Sequence, residues 1–310
     1  RKRRRRNPIL TIFKFLLTLM LIGICTGVIL CCFGCTDAKI PAAESGLVVE
    51  GWIENGRHPV VIVTTSVPTT TEYQDWESLY DHLVRWAKVT ISDGEQSVVL
   101  TGKYSDDYFP PYIYTTARIM GEVGKTYWLT VEYEGMVATA VTTVPDPVEL
   151  EYVKVKEVEA GYKIVAGIRD DKSVKNYYRF FSMVEGADST YVPSLLGLID
   201  DSVLTDDVSE AFVNGAYKAM TDSIPRSPIQ YLKDDVVKIR FCNMEEIAFN
   251  YWTDYEDIAA LSASPFFPVN KKIRSNVSSG MGCWAGYGSS YYRVSIADSL
   301  AQGRVLPMEP

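Results

Sequence analysis

An all-β body is predicted by three features of the sequence. Short runs alternate apolar and polar side chains with a period of two. Tight-turn dipeptides such as Asn55-Gly56, Asp93-Gly94 and Glu134-Gly135 separate them. Tyrosine is abundant, at 20 residues against 11 phenylalanines. Tyrosine suits strands that face half toward a core and half toward water, and it also suits contact with a carbohydrate or peptide.

Taken in order, residues 46–53 and 60–67 form a first hairpin across Asn55-Gly56, and 69–81 is a polar loop or short helix. In residues 87–92, Lys88, Thr90 and Ser92 alternate with Ala87, Val89 and Ile91, the pattern of a half-buried strand. Residues 97–101 follow the Asp93-Gly94 turn, 106–111 loop, and 112–120 extend again. Residues 126–133 and 136–144 make a hairpin across Glu134-Gly135. About seven strands in about 100 residues predict an immunoglobulin-like β-sandwich over 46–146, with Pro145-Asp146-Pro147 as its boundary.

The second domain, 147–310, is predicted to be β-rich but less regular. Residues 150–158, 162–168 and 176–184 read as strands, and 186–234 as a long, partly irregular insertion. Residues 236–242 form a strand. A single helix is predicted over 244–262, capped by Asn243 with Glu246 three residues on, and with Ile247, Tyr251, Tyr255, Ile258 and Leu261 on one face. Residues 287–296 close the body as a final strand.

The N-terminus sets the compartment. Six basic residues, Arg1 to Arg6, precede an apolar stretch, and Phe15 to Cys35 is uncharged. This is a lipoprotein-like signal peptide over 1–34, or else an uncleaved anchor helix, since 21 uncharged, mostly apolar residues can cross a hydrocarbon core of about 30 Å. Either way the arginines stay inside and the body is exported. Among Cys31, Cys32 and Cys35, Cys35 follows the small Gly34 and is the lipidation site expected. Residues 35–45 form the tether. The leader holds seven of the 31 basic residues and none of the 39 acidic ones, so the mature body, with 24 basic residues, carries a net charge of −15. That charge opposes binding to nucleic acid or to anionic membrane surfaces. Cys242 and Cys283 are the two cysteines of the body beyond the leader and tether, and an oxidising compartment allows them either a disulfide or two buried thiols.

The chain offers no catalytic motif. His58 and His82 are its two histidines, and neither sits in an H-E-x-x-H pair. No G-x-S-x-G elbow or phosphate-binding glycine loop is present. The aspartates of 200–207 could supply oxygen ligands for calcium, but without a D-x-D-x-D-G register they read as solvated loop residues. Neither a metal nor a cofactor is expected. The most individual segment is 270–292, where glycines and serines flank Trp284, Tyr287, Tyr291 and Tyr292. It reads either as a bent strand packing its aromatics into the core, or as a recognition loop presenting them to a ligand.

The leader ending at Cys35 and five ordered motifs carry a resemblance: Leu47 to Ile53, Ala87 to Asp93, Gly124 to Val131, Asn176-Tyr177-Tyr178-Arg179 and Asn276 to Gly282. Together they resemble a Bacteroidetes outer-membrane lipoprotein family catalogued as a domain of unknown function (DUF4249). The resemblance implies an accessory lipoprotein of a TonB-dependent outer-membrane transporter. Such a protein is lipid-anchored in the outer membrane, facing the cell surface or the periplasm, and helps to capture a nutrient such as a glycan or peptide. The expectation is therefore a non-catalytic partner. A structural or adhesive surface protein is the alternative, and a hydrolase with a dispersed carboxylate site is a second.

Overall fold

A computed structural model describes residues 46–66, 77–159, 161–215, 229–262, 272–302 and 306–308. The leader, the tether and the lipidation candidate Cys35 lie outside the described residues. The body is mainly β, as the alternation predicts, and residues from Ser45 onward form one compact unit.

The first half is a sandwich. Strands β1 (Leu47–Glu54), β2 (Val60–Thr65), β6 (Tyr112–Thr115) and β5 (Thr101–Tyr104) lie side by side in one sheet. Strands β4 (Ser97–Val99), β3 (Lys88–Ser92), β7 (Thr126–Tyr133) and β8 (Met136–Thr143) form the other. This is the strand order of an immunoglobulin-like sandwich with one extra strand beside β3. The chain changes sheets at Leu100, which splits the single strand expected over 97–101 into β4 and β5. Val49, Ile53 and Val61 of one sheet meet Ile91, Leu129 and Val131 of the other in a closed core. The start of β7 is pinned by the buried Tyr127, whose hydroxyl donates to Met120 O (3.0 Å) and accepts from Glu122 N (2.9 Å). That bond is the tyrosine corner of such sandwiches.

Asp93 fixes the β3–β4 turn. Its Oδ1 accepts from Gln96 N (2.8 Å) and Glu95 N (3.0 Å), and Oδ2 pairs with Lys125 Nζ at 3.0 Å. The Gln96 amide and then the Lys125 ammonium hold this carboxyl well below the usual range. Asp93→Ala is expected to cost about 1–3 kcal/mol at neutral pH, read from the urea midpoint. The folded pKa lies below the unfolded one, so the carboxylate's contribution is complete above about pH 4. It is lost as the pH falls toward the folded value, and the gap between variant and parent should shrink below about pH 4. A gap that stayed constant into acid would remove the carboxylate from the account.

The second half builds on the first sheet. Strand β15 (Gly280–Ser295) runs parallel to β1 through Leu47↔Gly280 to Glu54↔Tyr287. Beyond Tyr287 it pairs on its other edge with β14 (Val236–Met244), followed by β11 (Tyr177–Val184) and β12 (Val192–Asp200). One sheet thus runs through both halves, and the boundary expected at 146/147 falls within one compact unit. A three-stranded sheet of β9 (Leu150–Val158), β10 (Gly161–Ile168) and β13 (Ser209–Val213) covers one side of β11 and β14 around Ile164, Phe180 and Phe241. Helix α1 (Glu246–Ser262) covers the other side. A short helix α2 (Ile296–Gln302) and strand β16 (Leu306–Met308) follow β15.

Several boundaries differ from those expected. The irregular insertion holds two strands, β12 and β13. Pro193 and a left-handed Leu196 (φ 57°) hide β12 from periodicity, and its place at the sheet edge tolerates both. The final strand starts at Gly280, not at residue 287. Glycine is required there: a Cβ on Gly282 would lie 2.0 Å from Val49 O, and one on Gly286 2.3 Å from Thr143 O. Asn243 does not cap α1. It sits in β14, and its side chain donates to Asp146 O and Asn176 Oδ1, while Glu245 O accepts the first helical bonds. The helix packs through Ala248, Phe249, Tyr251 and Trp252, leaving Tyr255 exposed.

Candidate functional site

Side chains alternate across β1, so Val49 and Ile53 enter the sandwich core while Glu50, Trp52 and Glu54 stand on the opposite face. That face, continued by β2, β15 and β14, is the floor of a cavity of about 730 Å³. Tyr108 and Phe109 of the β5–β6 loop form one wall, Thr190 and Tyr191 before β12 another, and Trp252 of α1 a third. The volume and the mixture of aromatic and convergent polar groups are those of a small-molecule site.

A buried charge cluster anchors one end. Glu54 is 4% exposed, and its Oε2 accepts from Ser289 Oγ (2.6 Å) and Tyr291 Oη (2.7 Å). Its Oε1 faces Arg240 Nη1 at 3.5 Å and Arg57 Nε at 3.9 Å. Arg240 is 7% exposed, and its guanidinium lies 4.0 Å over the Phe181 ring. Burial opposes its charge, but the Glu54 carboxylate beside it holds the guanidinium above its ordinary value. Arg57 stacks 4.4 Å over Tyr291. Arg179, which pairs with Cys242 and so stands diagonal to Arg240 across the β11–β14 register, is 1% exposed. Its Nη2 donates to Glu256 at 2.9 Å and its guanidinium lies 4.1 Å over Trp252, so it stiffens the α1 wall.

Glu50 occupies the other end of the floor. Its own surface is exposed toward the half-open cavity, and desolvation by the surrounding protein raises its carboxyl above the ordinary value. Trp52 lies between the two ends, its ring 5.9 Å from that of Tyr108.

The aromatics singled out in the sequence divide between three environments. Residues 280–292 are strand, not a recognition loop. Trp284 fills the sandwich core and donates from Nε1 to Tyr127 O (3.1 Å), and Tyr292 lies in the second core, accepting from Leu150 N (2.7 Å). Tyr287 and Tyr291 point the other way and line the cavity. Tyr287 accepts from Trp252 Nε1 at 2.9 Å, and burial pushes both phenols far above the ordinary range. Period two along β15 accounts for the division.

Cys242 and Cys283 are free, buried thiols, which corrects the disulfide reading. Cys242 pairs in register with Ser289, six residues along β15 from Cys283. That separation is about 20 Å of extended strand, well beyond the roughly 7 Å that a disulfide spans. Burial pushes the Cys242 thiol up to about 11 and that of Cys283 up to about 12. Among the described residues no group of three or more His, Cys, Asp or Glu could hold a metal ion. Three of the four calcium candidates are engaged elsewhere: Asp200 and Asp201 accept from Lys175 Nζ, and Asp207 pairs with Arg169 Nη1 at 2.7 Å. His58 lines the cavity with Nδ1 donating to Ile119 O at 2.9 Å.

Sequence reasoning missed Trp52, Glu54, Arg57 and Arg240. The strand expected over 46–53 carries no assigned buried face, Glu54 lies just past it, and nothing local shows that β14 and α1 enclose the non-core face of β1.

A family model described as a domain of unknown function (DUF4249) matches residues 36–293, which include β1, β2, β14 and all but the last two residues of β15. No curated protein matches the chain.

Proposed function

The chain belongs to the family described as a domain of unknown function (DUF4249), and from that premise we propose that it is a Bacteroidetes outer-membrane lipoprotein, lipidated at Cys35, that captures a small ligand for a TonB-dependent transporter without acting on it chemically. The observation that carries this reading is the cavity: aromatic walls, a convergent charge cluster and a floor built on a rigid sheet. Such a site orients a ligand, and its parts are locked by their own hydrogen bonds.

The hydrolase alternative needs two facing carboxylates about 5–9.5 Å apart. Glu50 and Glu54 stand four residues apart on one strand, about 13 Å. Glu54 is also committed to two hydroxyls and a guanidinium. Both facts favour binding over hydrolysis. The structural or adhesive reading has one observation of its own. Val99, Trp128, Val137 and Val141 are exposed on the outer face of the β4-β3-β7-β8 sheet, a surface suited to protein contact.

A pull-down of the tagged native protein in mild detergent, read by mass spectrometry, tests the proposal. A TonB-dependent transporter recovered in stoichiometric amount is the expected result. Recovery of other surface proteins alone, lost when Trp128 is changed to serine, would replace capture with the adhesive reading.

A further inference from the structure

The two ends of the cavity floor carry opposite charges that the protein itself leaves unmet. At one end two guanidiniums, of Arg240 and Arg57, flank the single carboxylate of Glu54, so this end carries an excess positive charge. Arg240 has five N–H donors. Among the described residues it spends one on a long bond to Glu54, and its buried Nε has no partner. At the other end the Glu50 carboxyl lines the cavity, and among the described residues no hydrogen bond or ion pair offsets the desolvation that raises it. Lys103 and Asp107 also line the cavity and add one charge of each sign.

Resting on the ligand-capture reading, we propose that the cavity takes a short peptide with free termini. Its carboxylate docks on Arg240 and Arg57, its ammonium faces Glu50, and its middle lies against Trp52. A guanidinium with spare donors matches a carboxylate, and an unpaired carboxyl in a poorly solvated site is satisfied by an ammonium. Length follows from the floor. The ends are about 13 Å apart along β1, and an extended chain covers about 3.3–3.6 Å per residue, so about three residues and two ionic contacts fill the span. A neutral sugar would stack on Trp52 and Tyr108 but leave both charged ends unmet.

The test uses the full-length chain in mild detergent, with retained ligands weighed by native mass spectrometry. The probes are an equimolar library of unmodified tripeptides, the same library N-acetylated, the same library C-amidated, and maltotriose. Unmodified tripeptides should be retained, and each terminal block should lower retention about tenfold, equivalent to about 1.4 kcal/mol. Glu50→Gln should abolish the penalty of acetylation and leave that of amidation. Arg57→Gln, a change at a half-exposed side chain, should reduce the penalty of amidation alone. Retention of maltotriose in place of tripeptides overturns the proposal, as does equal retention of blocked and free libraries or retention of none. In each of those cases a transporter recovered in the pull-down leaves the capture role standing and removes the peptide alone.

Discussion

Glu54→Gln is expected to cost about 3–5 kcal/mol of stability, although it changes one oxygen for one NH2 group. The carboxylate is buried, and it is the compensating charge for an arginine that is buried as well. Removing one member of such a pair leaves the other charged and desolvated, which costs about 3–5 kcal/mol. Glutamine can keep both hydroxyl donors of Ser289 and Tyr291 on its carbonyl oxygen only by turning its NH2 group toward Arg240 and Arg57, donor against donor. The double variant Glu54→Gln with Arg240→Met should recover most of the loss, because an apolar side chain keeps its place over Phe181 without a charge to compensate. Urea unfolding of the parent, both single variants and the double variant forms a complete cycle. A cost below about 1 kcal/mol for Glu54→Gln, or simple additivity in the double variant, would show that the two groups do not stabilise one another.

The cluster also illustrates why the site was harder to read than the fold. Alternation in β1, β3, β7 and β8 is local, so the immunoglobulin-like half follows from residues within each strand. The cavity depends on pairings across about 180 or more positions. Glu54 meets Ser289 and Tyr291, and Arg240 meets Glu54, only because β15 pairs with β1 on one edge and β14 on the other. A carboxylate at the end of an alternating strand reads as solvated until its neighbours are known. Tyr287 and Tyr291 were legible as unusual, but Trp284 and Tyr292 were equally so, and only the two-residue period of β15 sorts cavity from core. The strand β12 escaped for a different reason. Pro193, Gly197 and a left-handed Leu196 break periodicity, and the pairing of β12 with β11 is itself irregular between Arg179 and Phe181.

The same strand makes the body cooperative, and Trp284→Ala should show it. Trp284 is fully buried in the sandwich core, although it is contributed by a strand that begins more than 130 residues after the last of the other core strands. Truncating a buried tryptophan costs about 3–5 kcal/mol through lost burial and the cavity left behind. Here the Tyr127 carbonyl also loses its indole donor. Two independent domains would confine the damage to the half that holds the void. In this fold β15 is at once the neighbour of β1 and the neighbour of β14, and its second half supplies Tyr292 and Val294 to the other core. Loosening its first half therefore loosens the floor on which β9 and β10 rest. Hydrogen exchange read by mass spectrometry should show amides of β7 and of β10 losing protection together, by similar factors, with one urea transition throughout. If β10 kept its full protection while β7 lost it, the halves would fold separately and the sheet that joins them would be contact without coupling.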